Sequence, residues 1–266
     1  MPMPTNAPKY KLVLTESKAD PKLRFDHTKL STDGIPDLKD MEHRMAPVFD
    51  QGSLGSCTGN AFVGALEYLE NKRHNLTNED HNFVDLSRLF VYFNERLLEG
   101  SVDVDAGAFI ADGIKALSTR GVCREKFYPY DINRFKEIPS PEAYADGENR
   151  QITKFAQVDM TEEAFVATLG NSIPIVFGIQ IFKSFESDDV ARTGMVPMPT
   201  ANEECLGGHA VLVCGYSQSK RLLKVRNSWG ADWGVRGYFF LPFDYVFKAG
   251  LASEPWIIDD MEHYDN

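Results

Sequence analysis

The hydrophobic pattern of the chain changes period partway along its length, and that change restricts the fold more than any other feature. Ala61, Phe62, Ala65, Leu66 and Leu69 recur at helical spacing within residues 55–73, with Glu67, Glu70, Lys72 and Arg73 mostly off that stripe. Residues 87–98 and 108–118 predict two further helices, the second stopped by Arg120-Gly121. Past residue 150 the signal becomes short runs of β-branched and aromatic residues at 173–182, 209–216, 222–227 and 238–242, with one short helix predicted over 162–169. Helices first and strands later is an α+β pattern, two unlike lobes in succession. Residues 131–150, holding Pro139, Pro141 and Gly147, read as a connection. The lobe boundary is expected there, with a helical lobe over about 35–150 and a β lobe over about 151–266.

Residues 1–34 stand apart. Pro2, Pro4 and Pro8 punctuate a polar stretch containing one alternating patch, Tyr10-Lys11-Leu12-Val13-Leu14, which is expected to form a strand. Composition then excludes several functions. With 28 Lys+Arg against 39 Asp+Glu the net charge is −11, which argues against nucleic-acid or anionic-membrane partners. The longest apolar runs, 174–179 and 211–214, are too short to span a bilayer, and residues 1–17 lack the apolar core of a Sec signal peptide. Four cysteines are too few for a disulfide scaffold.

Three polar residues carry the chemistry. Cys57 follows Gly52, Gly55 and Ser56 and opens the first helix, where orphan N–H groups and the helix dipole favour a thiolate. His209 starts a strand after Gly207-Gly208. Asn227 closes another, and its amide can fix one imidazole tautomer. A Cys205-x3-His209-x4-Cys214 metal site is rejected: a fourth ligand is missing, and strand alternation turns 209 and 214 to opposite faces.

Together, Gln51-Gly-Ser-Leu-Gly-Ser-Cys57, Gly208-His209-Ala210 and Asn227-Ser-Trp229-Gly-Ala-Asp-Trp233-Gly stand in the order Cys, His, Asn. The arrangement resembles the papain family of cysteine peptidases, and within it the bacterial xylellain-like subgroup. Family spacing puts His and Asn some 130–150 residues after Cys; here they follow by about 150 and 170. Phe127-Tyr128-Pro129-Tyr130, Gly215-Tyr216 and Gly237-Tyr238 extend the resemblance over roughly residues 35–256.

The resemblance implies a two-lobed α+β fold, with a helical lobe, an antiparallel β-barrel-like lobe and the active-site cleft between them. It implies Cys57 as nucleophile, His209 as its imidazolium partner, Asn227 as the residue orienting the ring, and Trp229 as its shield from water. Gln51 and the Cys57 N–H form the oxyanion hole in this reading. Asp105-Ala106-Gly107 matches the strip whose backbone pairs with extended substrate, and Ala106, Gly107, Gly208 and Trp229 are expected to bind it. Glu254 falls at the floor of the S2 pocket, which implies Arg or a large apolar residue at P2. Residues 121–150 lack the histidine of an occluding loop, so endopeptidase action is expected, without metal or cofactor.

Some positions depart from the family. Thr58 stands where an aromatic normally follows the nucleophile, and Gly59 weakens the helix by about 1 kcal/mol relative to alanine. Leu54 replaces a bridging cysteine, and the usual partner position of Cys205 matches Ala249, which favours a reducing compartment. The expected location is cytoplasmic, or exported by a route without a Sec signal. Residues 1–34 are expected to be a pro-like regulatory segment acting in cis at the cleft, with residues 35–266 a monomeric peptidase domain acting on peptide or protein substrates. Another Cys-His-Asn acyl-transfer enzyme (amidase, transglutaminase or deconjugating enzyme) and a non-catalytic binding protein are the alternatives; the Gln51-Gly-Ser and Asn227-Ser-Trp229-Gly elements disfavour the first, and the intact Gln51, Cys57, His209 and Asn227 the second.

Overall fold

A computed structural model describes residues 11, 12, 14, 15, 23–31, 33–80 and 83–262. The N-terminal patch contributes only a two-residue strand β1 (Leu14–Thr15); Tyr10 and Val13 of that patch lie outside the described residues. After β2 (Leu38–Asp40) come α1 (Cys57–Arg73), α2 (Arg88–Glu99), β3 (Ala108–Phe109), α3 (Ile110–Arg120) and α4 (Pro141–Gly147). Then follow β4 (Ile152–Gln157), α5 (Glu162–Gly170), β5 (Ile175–Phe182), α6 (Asp188–Thr193) and β6 (Cys205–Ser217). The last elements among the described residues are β7 (Leu222–Arg226), β8 (Tyr238–Pro242), α7 (Phe243–Phe247) and β9 (Ala252–Met261).

Local chemistry explains the helix ends. Ser87 caps α2 by accepting the Phe90 N–H, and Gly100 closes it in the left-handed conformation. Helix α4 lies inside the stretch read as a connection. Ser140 caps it and Pro141 occupies its first turn, a start signal that the flanking prolines obscured.

α1 is the axis of the molecule. One face packs on β6 and the other on α2, so even Glu67 and Glu70, off the apolar stripe, are buried. Gly59 is required by this packing: a Cβ there would lie 2.6 Å from the Arg88 carbonyl of α2. Its helix-weakening cost is thus offset by the close approach of two helices.

The β lobe departs from expectation. The resemblance implies a barrel-like closure, whereas the sheet is open: its strands run β4-β9-β5-β6-β7-β8, with β2 also on β6, and every pairing is antiparallel. The two end strands do not meet. At one end β8 is covered by the 194–196 segment, through Phe240 N–H to Gly194 O at 2.7 Å and Val196 N–H to Phe240 O at 3.1 Å. At the other end β4 exposes Thr153 and Lys154 to solvent. Inward–outward alternation is the same in an open and a closed sheet, so the residue pattern does not distinguish them.

Strands β4 and β9 were not anticipated. Pro255 and its acidic neighbours mask β9, a stretch to which the sequence assigned no element. Pro255 falls where the β5–β9 register shifts, between the Gly178–Ser253 and Val176–Trp256 pairs, so its missing N–H costs no ladder bond. Asp260 pairs with Arg73 at the end of α1 at 3.0 Å.

Candidate active site

Cys57 is the first residue of α1 and is fully buried. The side chain of Ser56 does not cap the helix; its Oγ meets the Tyr130 hydroxyl at 2.5 Å instead. The first-turn N–H groups of Cys57 and Thr58 therefore act on the thiol, as does the N–H of Ala210 from β6. The sequence led us to expect these donors to favour thiolate. Burial outweighs them and pushes the thiol up to about 11, with the nearby Glu95 adding to the rise.

His209 and Asn227 are brought together by the register of β6 and β7. Leu212 pairs with Arg226, and the chain leaves β7 at Asn227, placing the amide beside the ring. His209 Nε2 lies 2.8 Å from Asn227 Oδ1. Since that oxygen can only accept, the proton is on Nε2 and the Nδ1 lone pair is left without a hydrogen-bond partner among the described residues. Trp229 stacks on the imidazole with centroids 5.1 Å apart and 26° between planes. Phe185 and Trp233 pack edge-on against Trp229 at 5.6 and 5.0 Å and fix it there. Burial lowers the imidazole to about 4, against the opposing effect of the Asn227 bond. Burial thus works against the charged form of each group, while the N–H donors at Cys57 and the Asn227 bond at His209 oppose it.

Gln51 is fully buried and held at both ends of its amide. Oε1 accepts from Ser228 Oγ at 2.6 Å, and Nε2 donates to Leu54 O at 3.0 Å, which leaves one N–H to spare. Its backbone N–H bonds Ser228 O at 2.8 Å and its carbonyl accepts from Tyr130 OH at 2.9 Å. The segments before Cys57 and after Asn227 are thus joined directly.

Ala106 is exposed, and Gly107, at φ 75°, takes a conformation that only glycine adopts readily. Gly107 donates its N–H to Tyr92 OH at 3.2 Å. Asp105 ties this strip to the nucleophile loop: its Oδ1 accepts from Tyr92 OH at 2.5 Å and from Gly55 N–H at 3.0 Å. Gly208 precedes His209 on β6, opposite Gln180. Glu254 is not a solvated charge. It is 8% exposed, at φ 49°, on the shifted part of β9. Ile179 pairs with both His209 and Ala252, so this stretch of β9 lies two strands from the imidazole.

Several contributors escaped the sequence reading. The side chains of Asp105, Tyr92 and Ser228 act through long-range bonds that no local pattern announces, although Asp105 opens the Asp-Ala-Gly strip and Ser228 stands inside the Asn-Ser-Trp run. Glu95 is fully buried and accepts from Thr58 Oγ1 at 2.6 Å, next to the nucleophile. The four cysteines are all free; Cys205 alone is exposed.

Comparison with known proteins agrees with this geometry. The family model described as papain family cysteine protease matches residues 35–257. The crystal structure of xylellain, a cysteine protease from Xylella fastidiosa, superposes with a TM-score of 0.82 at 33% identity, covering 97% of each chain. An uncharacterized peptidase C1-like protein of Acanthamoeba polyphaga mimivirus is 41% identical over 86% of this chain and 75% of its own. Cathepsin J of Rattus norvegicus is 27% identical over 83% of this chain, which spans only 64% of that relative. Among the described residues no helix is long and apolar enough to cross a membrane.

Proposed function

The chain belongs to the papain family of cysteine proteases and is a papain-like cysteine endopeptidase, and we propose that Cys57, His209, Asn227 and Gln51 carry its catalysis. The observation that carries this assignment is the His209 Nε2–Asn227 Oδ1 bond under Trp229, which leaves Nδ1 for the thiol proton. Cys57 passes its proton to Nδ1 and its sulfur attacks the scissile carbonyl. The spare Gln51 N–H and the Cys57 N–H hold the oxyanion. The imidazolium protonates the departing amine, a thioester remains, and water hydrolyses it with His209 as base. Ala106, Gly107, Gly208 and Trp229 border the substrate in this reading.

We further infer that residues 1–34 form a regulatory segment ahead of a peptidase domain over 35–266, whose lobes divide near residue 150. Three contacts support restriction of the cleft. Lys11 pairs with Asp105 at 2.8 Å, the Leu12 carbonyl lies 2.5 Å from where a Cβ on Gly207 would stand, and Leu14 pairs with Ala108 in parallel. The segment thereby touches the helical lobe beside the strip and the β lobe just before His209. Its departure frees the Asp105-Ala106-Gly107 strip and the approach to Gly207. Glu254 selects Arg or a large apolar residue at P2, since a largely buried carboxylate pairs bidentately with guanidinium.

A fluorogenic dipeptide and an unfolded protein substrate test these assignments on the full-length chain. Hydrolysis is expected from the wild type, none from Cys57→Ala, and roughly tenfold more from Leu12→Asp, which sets a charge against apolar surroundings. Equal rates for wild type and Leu12→Asp on both substrates remove the regulatory role. Unchanged Arg-over-Phe turnover at P2 in Glu254→Ala removes the P2 assignment.

A further inference from the structure

Resting on the peptidase reading above, we propose that Asp105 is a second specificity determinant, a carboxylate subsite for a Lys or Arg side chain of the substrate, separate from Glu254. Its geometry is that of a fixed anion aimed at the peptide path. One oxygen, Oδ1, is committed to Tyr92 OH at 2.5 Å and Gly55 N–H at 3.0 Å, both contributed by the protein's own framework. The other, Oδ2, takes its short contact from Lys11 Nζ at 2.8 Å, with Gly55 N–H at a longer 3.2 Å. Lys11 also donates to the Asp105 main-chain carbonyl, so the ammonium is held by two oxygens of one residue. The carboxylate is only 16% exposed, while the Lys11 side chain is 40% exposed.

The asymmetry identifies which partner is built in. Asp105 is pinned by donors from α2 and from the loop preceding Cys57, whereas Lys11 belongs to the N-terminal segment and meets Asp105 through a single ammonium. Arg96 acts on Asp105 only through its charge: among the described residues its guanidinium donates instead to the carbonyls of Tyr92, Val102, Val104 and Phe135. When Lys11 leaves, Oδ2 of this mostly buried carboxylate keeps a single long N–H contact, from Gly55, and a cation in the place of Lys11 restores the pairing. Leu12, the next residue, lies against Gly207 on the opposite wall. A chain crossing between the lobes therefore passes within lysine reach of Asp105, and an extended substrate takes the same crossing beside Ala106 and Gly107. The chemical class is a basic peptide, with Lys11 as the internal example.

Fluorogenic peptides in which P4, P3 and P2 each carry Lys, Arg or the uncharged isostere norleucine separate the outcomes, assayed on full-length chains. At one position the wild type is expected to favour Lys or Arg over norleucine by about tenfold in kcat/KM. Asp105→Asn, which keeps an acceptor for Gly55 and Tyr92, brings that ratio to within about twofold. Glu254→Gln leaves the ratio at that position intact, and Lys11→Met raises it. On the unmodified chain the same ratio falls as salt rises from about 0.05 to about 0.5 M, through screening of a partly exposed pair. Cleavage of the norleucine peptides with no position whose basic preference responds to Asp105→Asn or to salt overturns the subsite and spares the peptidase assignment. No turnover of any peptide by any of the chains overturns the peptidase assignment and the subsite with it.

Discussion

The two lobes hold their halves of the site by different means. In the helical lobe, Cys57 and its surroundings are fixed by long-range polar bonds: Glu95 to Thr58, Asp105 to Gly55, Tyr130 to Ser56. In the β lobe, His209 is fixed by strand register and by an aromatic stack of Trp229, Phe185 and Trp233, with one polar bond to Asn227. A helix N-terminus gives direction to one side chain but no lateral register, so buried carboxylates locate it. A sheet already sets register to the residue, and only the ring orientation remains to be fixed.

The comparison can be broken at its strongest point first. Cys57→Ala and His209→Ala are each expected to lower kcat/KM by roughly 10⁴ or more, because the two act as a unit. A much smaller loss for His209→Ala in steady-state hydrolysis removes it as the proton carrier. Gln51→Ala is expected to lower kcat by about 10²–10³ with little change in KM, the loss typical of one oxyanion donor. An effect confined to KM assigns Gln51 to substrate binding instead.

The next two predictions sharpen the difference between the lobes. Thr58→Val removes the donor to Glu95 while keeping shape. It is expected to cost about 1–3 kcal/mol of stability, because a buried carboxyl loses its partner. Phe185→Leu, on the aromatic side, leaves every polar bond in place and is expected to cost about 1 kcal/mol. Chemical denaturation of the two variants checks the order; a larger loss in Phe185→Leu reverses the contrast.

The pH response belongs to the helical lobe. Burial raises both Glu67 and Glu95 to about 8 in the folded state, above the ordinary glutamate value of 4.5. Between those limits the folded chain binds more protons than the unfolded one, so stability falls as pH rises from about 5 to 8. Thermal melts should show this decline, at roughly 2–4 °C for each kcal/mol lost. Glu67→Gln and Glu95→Gln should each flatten it, and melts equally steep in both variants contradict the assignment.

Much of this arrangement was legible in the residues. Helical spacing located α1 and α2, and Cys57, His209 and Asn227 stood in family order because each is surrounded by a short local motif. What was not legible is non-local. Asp105, Glu95 and Tyr92 bond to partners far along the chain, and an isolated Asp or Glu looks the same whether exposed or buried. Closure of the sheet failed for a similar reason, since alternation specifies faces and not which edge strands meet. The helix N–H donors at Cys57 were legible in the sequence, whereas the burial that opposes them was not.

Peptide mapping by mass spectrometry after treatment with an epoxide inhibitor of papain-type enzymes tests the central assignment most directly. Cys205 is the one exposed thiol and Cys57 is fully buried, so accessibility and catalysis point to different residues. Stoichiometric label on Cys57, lost in His209→Ala and faster in Leu12→Asp, is the expected result. Label on Cys205 alone, or on no cysteine, contradicts it.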